Sequence, residues 1–292
     1  MVLYKELMSE QKTSKISVVI PCYNEQCNIA RCLDALKSQS VQPFEVIIVD
    51  NNCIDKTVKI ALSYQGVRVL KEVTQGLVTA RNTGLNAAKG EIIARIDADT
   101  IPAEDWIAKI TETMSDDRVQ AVTGTGYFYD APCKRLVKTT RNIFAVWLNK
   151  LVLGHHMLWG SNMAIRTTAW QAIKDECCIM ADIMEDLDIA AHINKRFGKK
   201  AVTYRAKIRA DISARRAMVT LKNNWLYLKM WPRTMALHNY QRRVLIWPAI
   251  GVLLALVGAG SKIARFYNAE QDRMIFSLKQ WRDNPLYDRL NP

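Results

Sequence analysis

The sequence alternates short β-branched apolar runs with amphipathic stretches, and this alternation restricts the fold more than any other feature. Residues 16 to 21 form the first apolar run, and Ile29, Leu33 and Leu36 follow at the spacing of one helix face. The same order recurs up to residue 114. Further strands are predicted at 44–49, 67–70 and 92–96, and further helices at 57–63, 76–88 and 103–114. Because such alternation is typical of crossover connections, we predict an α/β fold with a Rossmann-like, mainly parallel sheet flanked by helices.

The pattern becomes less regular after residue 123. A strand is predicted at 119–123, and residues 143 to 165 favour a helix followed by a strand that starts at Met157. A helix should open at Asp182 and run to about Arg196. Residues 201 to 212 are expected to be extended, followed by a helix at 216 to 230.

Three of the predicted strands end in polar or acidic residues. The clusters are Asn24-Glu25, Asp50-Asn51 and Asp97-Ala98-Asp99. Open α/β sheets bind ligands at the carboxyl ends of their strands, so these side chains should meet at one edge. Carboxylate oxygens suit a hard divalent cation, and the Asp-Ala-Asp stretch therefore indicates a seat for a cation and a phosphate. The alternative is that these acids only cap the turns that follow the strands.

The net charge of +13 comes from one block of the chain. Residues 195 to 243 contain 14 Lys and Arg against one acid, Asp211, so the rest of the chain is neutral. Such a block favours a polyanionic partner, namely membrane headgroups, a phosphorylated acceptor or nucleic acid. A solvated basic face is the simpler alternative.

An uncharged apolar stretch at 244 to 261 follows this block. Eighteen residues in a helix span about 27 Å, close to the hydrocarbon thickness of a bilayer. We predict a membrane-associated helix, with a buried or dimer-forming helix as the alternative. The first fifteen residues contain no apolar signal core, and the seven cysteines lack zinc-type spacing, which favours reduced thiols in the cytosol. The expected location is the cytoplasmic face of the cell membrane.

Five motifs occur in an order that resembles the family two, GT-A fold, inverting glycosyltransferases. They are Val-Val-Ile-Pro-Cys-Tyr-Asn-Glu at 18 to 25, Ile-Ile-Val-Asp-Asn-Asn-Cys-Ile-Asp at 47 to 55, Ala-Arg-Asn-Thr-Gly at 80 to 84, Asp-Ala-Asp at 97 to 99 with Pro102 and Trp106, and Trp-Gly-Ser-Asn at 159 to 162 with Glu185-Asp186. The resemblance covers about residues 15 to 215.

The resemblance implies how the chain is organised. Residues 1 to 215 would form a GT-A domain, with a nucleotide-sugar half at about 15–125 and an acceptor half at about 126–215. Residues 216–292 would contain basic and amphipathic helices, the apolar helix 244–261 and a polar tail.

The resemblance also implies a metal-dependent donor site. Asp99 is expected to be the principal ligand of Mg²⁺ or Mn²⁺, and Asp97 to contact the metal's water, the ribose or the sugar. A divalent cation neutralises the charge that develops on a leaving diphosphate. The other residues implied in nucleotide-sugar binding are Pro21, Tyr23, Glu25, Asp50 and Arg81.

Several of these donor-site residues have a structural alternative. Tyr23 and Glu25 lie in a loop and are also explained by packing and capping. Asp55 is better explained as the N-cap of the helix that follows it. Arg81 lies in the first turns of a helix behind a glycine, where it faces phosphate or forms an ion pair with Asp97 or Glu91.

The acceptor side is expected to contain the catalytic base. By the resemblance, Asp186 deprotonates the acceptor hydroxyl, with Asp188 as the alternative base. Glu185 belongs to the same side or forms a capping box with Asp182. The resemblance places three further residues on the sugar or acceptor side, namely Gly160, Ser161 and Asn162. His155 and His156 are better explained as core or surface residues than as metal ligands.

The sequence therefore predicts a non-processive glycosyltransferase. It would move a sugar from a UDP- or GDP-sugar to an acceptor, such as a lipid-linked saccharide or polyprenyl phosphate, and no nucleic acid partner is expected. Processive members of the family carry Gln-x-x-Arg-Trp after the base, whereas residues 213 to 216 read Ser-Ala-Arg-Arg.

The alternatives are a sugar nucleotidyltransferase and a membrane-tethered adaptor that binds nucleotide or nucleic acid. The first would need a Gly-rich basic loop where this chain has Pro-Cys-Tyr-Asn-Glu, and the second leaves the acidic set unexplained. No Gly-x-Gly-x-x-Gly follows the first strand, which argues against a dinucleotide oxidoreductase.

Overall fold

An eight-stranded sheet forms the centre of the protein in the computed structural model, which describes residues 14–130, 146, 149–180, 182–213, 215, 221–240, 267–268 and 273–277. The strands of this sheet are β1 Ile16–Cys22, β2 Glu45–Asp50, β3 Val67–Lys71, β4 Ile92–Arg95, β5 Ile101–Pro102, β6 Ala121–Thr125, β7 Met163–Arg166 and β8 Val202–Asp211. Their order across the sheet is β3-β2-β1-β4-β7-β6-β8-β5. Two short strands, β9 Tyr267–Asn268 and β10 Arg273–Met274, pair separately.

The sheet is mixed rather than wholly parallel. Strands β3, β2, β1 and β4 are parallel neighbours, as are β6 and β8, whereas β7 runs antiparallel to β4 and β6, and β5 antiparallel to β8. After β6 the chain returns to the sheet at the end where β6 finished, and β7 inserts between β4 and β6. Its first residue, Met163, pairs with both Arg95 and Thr123. This return reverses β7 and brings the segment before it to the carboxyl end of β4.

Helices cover both faces of the sheet, as predicted for a doubly wound fold. They are α1 Ile29–Lys37, α2 Thr57–Leu62, α3 Leu77–Ala87, α4 Trp106–Met114, α5 Asn149–Leu153, α6 Thr167–Ile173, α7 Glu185–Phe197 and α8 Leu221–Leu237. Side chains alternate between the faces along each strand. Val18 and Ile20 pack in the core beneath α1 and α4, whereas Val19 packs in the core beneath α3, α6 and α7.

Two predicted boundaries in the second half are wrong. The strand expected from Met157 begins at Met163, because the residues before it form a loop and turn that bury Met157 and Leu158 without strand pairing. The helix expected from Asp182 begins at Glu185, and the capping box does not form, since no side chain caps the N-terminus of α7. Local periodicity does not distinguish a buried loop from a buried strand.

The predicted apolar helix 244–261 and most of the polar tail lie outside the described residues. Among the helices that the structure does describe, none has the length and apolar character to cross a membrane. The boundary predicted at residue 215 falls between β8 and α8 and stays a prediction.

Candidate active site

The loops that follow β1 and β2 are joined by hydrogen bonds at one edge of the sheet. The Glu25 N–H donates to Thr57 Oγ1 at 2.7 Å, and the Cys53 N–H donates to Asp50 Oδ1 at 2.7 Å. Asp50 is buried, and its Oδ2 lies 4.0 Å from Lys71 Nζ. The carboxylate of Asp50 therefore holds its own loop in shape at the edge where the donor base or ribose is expected.

The expected metal ligand Asp99 is paired with an arginine that the sequence analysis did not assign to the site. Arg215 Nε lies 2.7 Å from Asp99 Oδ2, and the same guanidinium pairs with Glu25. All three side chains are buried. Asn28 Nδ2 also donates to Glu25 Oε2 at 2.9 Å. The residues after β1 and β4 thus meet as predicted, and the carboxylates of Glu25 and Asp99 share the positive charge of the Arg215 guanidinium.

These residues fit a hard divalent cation. Asp97 and Asp99 supply carboxylate oxygens at the end of β4, which is the ligand type that Mg²⁺ and Mn²⁺ prefer. The guanidinium of Arg215 against Asp99 shows that the edge stabilises positive charge. A metal ion that binds Asp99 must displace or share this contact.

Arg95, the last residue of β4, connects the acid pair to the second acidic motif. Its Nη2 donates to Asp97 Oδ1 at 3.1 Å and its Nη1 to Glu185 Oε1 at 2.7 Å. Arg81 Nη1 donates to the other oxygen of Glu185 at 3.0 Å. Both guanidiniums are almost fully buried. A continuous chain of charged groups therefore runs from Asp97 to the start of α7, where Asp186 follows.

The placement of Arg81 differs from what the sequence suggested. Its side chain has no solvent exposure, and its Nε and Nη2 donate to Asn82 Oδ1 at 3.0 and 2.8 Å. Its ionic partner is Glu185 rather than Asp97 or Glu91. A buried guanidinium cannot reach a phosphate without repacking, so this position favours a structural role for Arg81 and for the Glu185 carboxylate that it binds.

Asp186, the residue predicted to be the catalytic base, accepts two backbone hydrogen bonds and has a raised pKa. Its carboxylate accepts hydrogen bonds from the Gly160 N–H at 3.3 Å and the Leu187 N–H at 3.0 Å. Burial raises the pKa of Asp186 to about 6, and the Glu185 charge adds to this effect while Arg95 opposes it. A carboxylate with a pKa close to neutral suits general base catalysis.

The position of the Arg95 guanidinium leaves no room for a side chain at residue 160. A Cβ atom at this position would lie 1.9 Å from Arg95 Nη1. The guanidinium therefore occupies the space next to Gly160, a residue that was expected on the sugar or acceptor side. Next to it, Ser161 is partly buried. Asn162 is buried and bonded on both ends of its amide: Nδ2 donates to Thr125 O and Ile208 O, and Oδ1 accepts from Trp106 Nε1 at 2.8 Å. This placement favours a structural role for Asn162.

The remaining candidate residues from the sequence differ in how exposed they are. Pro21 is buried in β1, whereas Tyr23 is 47% exposed beside it. Asp188 is fully buried against His238, which does not favour it as the alternative base. His155 is buried and His156 is partly buried, and burial lowers the pKa of His156 to about 4.

Arg95 and Arg215 are the site residues that sequence reasoning missed. Arg95 is the one charged residue within the apolar run at 92 to 96, and a charge in a buried strand needs a partner. That signal was available in the sequence. Arg215 lies within the basic block at 195 to 243, and no feature of the local sequence distinguishes it from the other Lys and Arg residues there.

Comparison with known proteins agrees with this fold and identifies the family. Residues 17–178 match the family model described as Glycosyl transferase family 2. The match covers more than half of the chain, and the chain therefore belongs to this glycosyltransferase family.

Similar proteins with known sequences share the same region. Glycosyltransferase AglE of Haloferax volcanii is 38% identical over 120 residues, which cover 39% of this chain and 40% of that protein. The uncharacterized glycosyltransferase EpsJ of Bacillus subtilis is 30% identical over 124 residues, covering 41% of this chain and 36% of that one. The matches thus span well under half the length of these relatives.

Solved structures show the same GT-A-like fold. The mannosyltransferase PcManGT from Pyrobaculum calidifontis, in complex with GDP-Man and Mn²⁺, has a TM-score of 0.62 at 19% identity over 89% of this chain and 82% of that one. The glucosyl-3-phosphoglycerate synthase of M. tuberculosis has a TM-score of 0.58 at 18% identity over 80% of this chain and 84% of that one.

Proposed function

We propose that this protein is a metal-dependent, non-processive, inverting glycosyltransferase that uses a UDP- or GDP-sugar. The observation that carries the proposal is the double contact of Arg95, which bonds Asp97 at 3.1 Å and Glu185 at 2.7 Å. Through this arginine the metal and phosphate edge is joined to the motif that contains the base. A donor bound along the edge would present its sugar toward Asp186.

The proposed chemistry divides the work between the two acidic motifs. Asp99 and Asp97 would hold Mg²⁺ or Mn²⁺, and a metal ion there would neutralise the diphosphate as it leaves. Asp186 would take the proton of the acceptor hydroxyl in the transition state. The acceptor oxygen then forms the new bond to the anomeric carbon from the face opposite the diphosphate, which inverts the configuration.

Neighbouring structures support the class of donor. PcManGT is described with GDP-Man and Mn²⁺, and the M. tuberculosis synthase with Mn²⁺ and UDP-glucose, the latter at a TM-score of 0.51 and 18% identity. Both complexes contain a nucleoside diphosphate sugar with a divalent cation. The proposed donor site of this chain has the carboxylates and the edge position that such a pair needs.

The acceptor is proposed to be anionic and membrane-associated, such as a lipid-linked saccharide or polyprenyl phosphate at the cytoplasmic face. The support is the charge of the region from the last turn of α7 through β8. Its exposed cationic side chains include Lys195, Arg196, Lys199, Lys200, Arg205, Lys207 and Arg209. Basic residues close to an anionic membrane surface each contribute about 1 kcal/mol of attraction.

Two substitutions test the division of roles. Asp186→Asn should lower kcat by roughly 10²- to 10⁴-fold and leave donor affinity unchanged, because it removes only the base. Asp99→Asn should weaken Mn²⁺-dependent binding of the nucleoside diphosphate by at least tenfold. Calorimetry with UDP and GDP, and turnover with a panel of nucleotide sugars, measure the two effects.

Asp117→Asn is the matched control, since this carboxylate is fully exposed and should change neither quantity. Failure of the wild-type protein to bind any nucleoside diphosphate in the presence of Mn²⁺ would refute the function. Equal loss of donor binding in the Asp99 and Asp186 variants would refute the assignment of roles.

A further inference from the structure

A second cluster of metal-ligating side chains lies between α7 and α8. Asp188 and His192 occupy successive turns of α7, and His238 follows the last residue of α8. One ligand atom from each of these residues lies within 4.8 Å of the other two. None of the three belongs to the acid pair at the end of β4 or to the proposed base.

The two imidazoles point at the same carboxylate oxygen. His238 Nε2 lies 2.8 Å and His192 Nε2 3.5 Å from Asp188 Oδ1. The carboxylate is fully buried, and the histidine side chains are only 8% and 12% exposed. A buried carboxylate needs a compensating positive charge. Two imidazole nitrogens and one carboxylate oxygen can ligate a single metal cation, and such a cation would supply the positive charge that Asp188 needs.

Outer contacts fix the orientation of two of these ligands. The Cys178 N–H donates to Asp188 Oδ2 at 2.8 Å, which turns Oδ1 toward the histidines. His192 Nδ1 lies 3.3 Å from Glu176 Oε2. A carboxylate behind a histidine sets its tautomer and raises its basicity as a ligand, and such outer partners are usual around metal sites.

We propose that Asp188, His192 and His238 form a binding site for a borderline divalent cation, with Zn²⁺ as the best fit. Two imidazole nitrogens and one carboxylate oxygen suit Zn²⁺, whereas Mg²⁺ and Mn²⁺ prefer sites made of oxygen. Ligand atoms about 2.0 to 2.2 Å from a tetrahedral Zn²⁺ stand roughly 3.3 Å apart, close to the separations from Asp188 Oδ1 observed here. Small rotations of the two imidazoles would admit the ion in place of the shared proton.

This ion would fasten the end of α8 to α7. Met184 N already donates to Thr234 Oγ1 at 2.9 Å, and Trp231 and Met235 pack against Leu187 and Leu153. Asp188 is two residues from Asp186, so the ion would also stiffen the turn that presents the proposed base. The site does not depend on the proposed function, because its ligands and its chemistry are separate.

Zinc titration of the whole chain tests the proposal. The protein is stripped with a chelator, freed of any affinity tag and kept under a reductant that does not bind metals. Excess Mg²⁺ is present to occupy the acid pair, because carboxylate oxygens suit that cation. We expect one equivalent of Zn²⁺ to bind and to raise the melting temperature. Co²⁺ in its place should give the visible absorption of a four-coordinate site. Because seven cysteines also offer zinc ligands, variants must assign the signal.

His192→Ala and His238→Ala should each weaken Zn²⁺ binding at least tenfold and remove the cobalt spectrum. His238→Gln keeps a hydrogen-bond donor for Asp188 and should preserve folding while it loses the metal. His156→Ala, which removes a histidine outside the cluster, is the matched control and should bind as the wild type does. Zinc binding that is absent from the wild type, or unchanged in the folded His238→Gln variant, would overturn the site and leave an ion-paired carboxylate only.

Discussion

Two adjacent acids at the start of α7 have different environments, and this difference supports the different roles proposed for them. Glu185 is held between the buried guanidiniums of Arg81 and Arg95. Among the described residues, Asp186 accepts hydrogen bonds from two backbone N–H groups, and burial raises its pKa to about 6. Both oxygens of the Glu185 carboxylate are occupied by arginines, whereas Asp186 has a pKa near neutral, which suits general base catalysis.

The raised pKa of Asp186 predicts how activity depends on pH. The base acts only when ionised, so kcat/KM should fall about tenfold per pH unit below pH 6 and reach a plateau above it. A pH profile of initial rates from pH 4.5 to 8.5 measures this. Donor binding over the same range serves as the control, because it should not follow this profile. A rate that does not change between pH 5 and 7 would contradict the assignment of the base.

In the proposed site, Arg215 would compete with a metal ion for Asp99, which gives a second prediction at the level of the residue. Arg215→Gln removes a positive charge 2.7 Å from the carboxylate and should raise the affinity for Mn²⁺ in the absence of nucleotide by about tenfold. Arg209→Gln is the matched control, since Arg209 is half exposed and pairs at 3.7 Å with Asp211. Equal Mn²⁺ affinities in the two variants, measured by calorimetry, would show that the metal does not bind at Asp99.

The segment before β7 owes its position to the antiparallel direction of that strand. Because the chain returns at the edge where β4 ends, Gly160 comes to lie on Arg95 and its N–H reaches Asp186. The sequence predicted a longer strand that starts at Met157, and it gave no indication that this strand would run antiparallel to β4. Its reversal is what joins the two halves of the candidate site.

The close approach at Gly160 predicts the effect of an added methyl group. Gly160→Ala would place Cβ 1.9 Å from Arg95 Nη1, so the guanidinium must move and lose its contacts to Asp97 and Glu185. We expect a loss of about 1 to 3 kcal/mol in the free energy of unfolding together with lower activity. Ser161→Ala, one residue further on, should cost much less. Similar urea midpoints for both variants would contradict this account of the glycine.

Across the whole molecule, buried tryptophans on the two faces of the sheet connect distant parts of the chain. Trp106 on α4 donates to Asn162 before β7, and Trp170 on α6 donates to Asn86 near the end of α3, both at 2.8 Å. Both indole rings are fully buried. The acceptors differ, because Asn162 is buried and Asn86 is exposed.

The two tryptophans therefore form a matched pair of substitutions. Trp106→Phe leaves the buried Asn162 oxygen without its indole donor and should cost about 1 to 3 kcal/mol more than the loss of packing alone. In Trp170→Phe, water can replace the donor at Asn86, so only the packing loss remains. Chemical denaturation of both variants measures the difference. Equal destabilisation would show that the hydrogen bond to Asn162 contributes little.

Much of the fold was predictable from local pattern. The strand runs at 16–21, 44–49 and 92–96 and the helices between them were found within a few residues, because apolar spacing records which face each element buries. The meeting of Glu25 and Asp99 at one edge followed from parallel strand direction. The family was also identifiable from its motifs. The start of β7 was not, because a buried loop and a buried strand have similar composition.

The sequence by itself determined the α/β class, the acid clusters at the strand ends and the identity of the family. The tertiary structure alone decided how the charges are paired. Arg95 meets Glu185 across 90 residues, and Arg215 meets Glu25 across 190. Such pairs leave no local signal, because a buried charge takes whichever partner the packing of distant elements brings within reach, and that distance is fixed only once the sheet has formed.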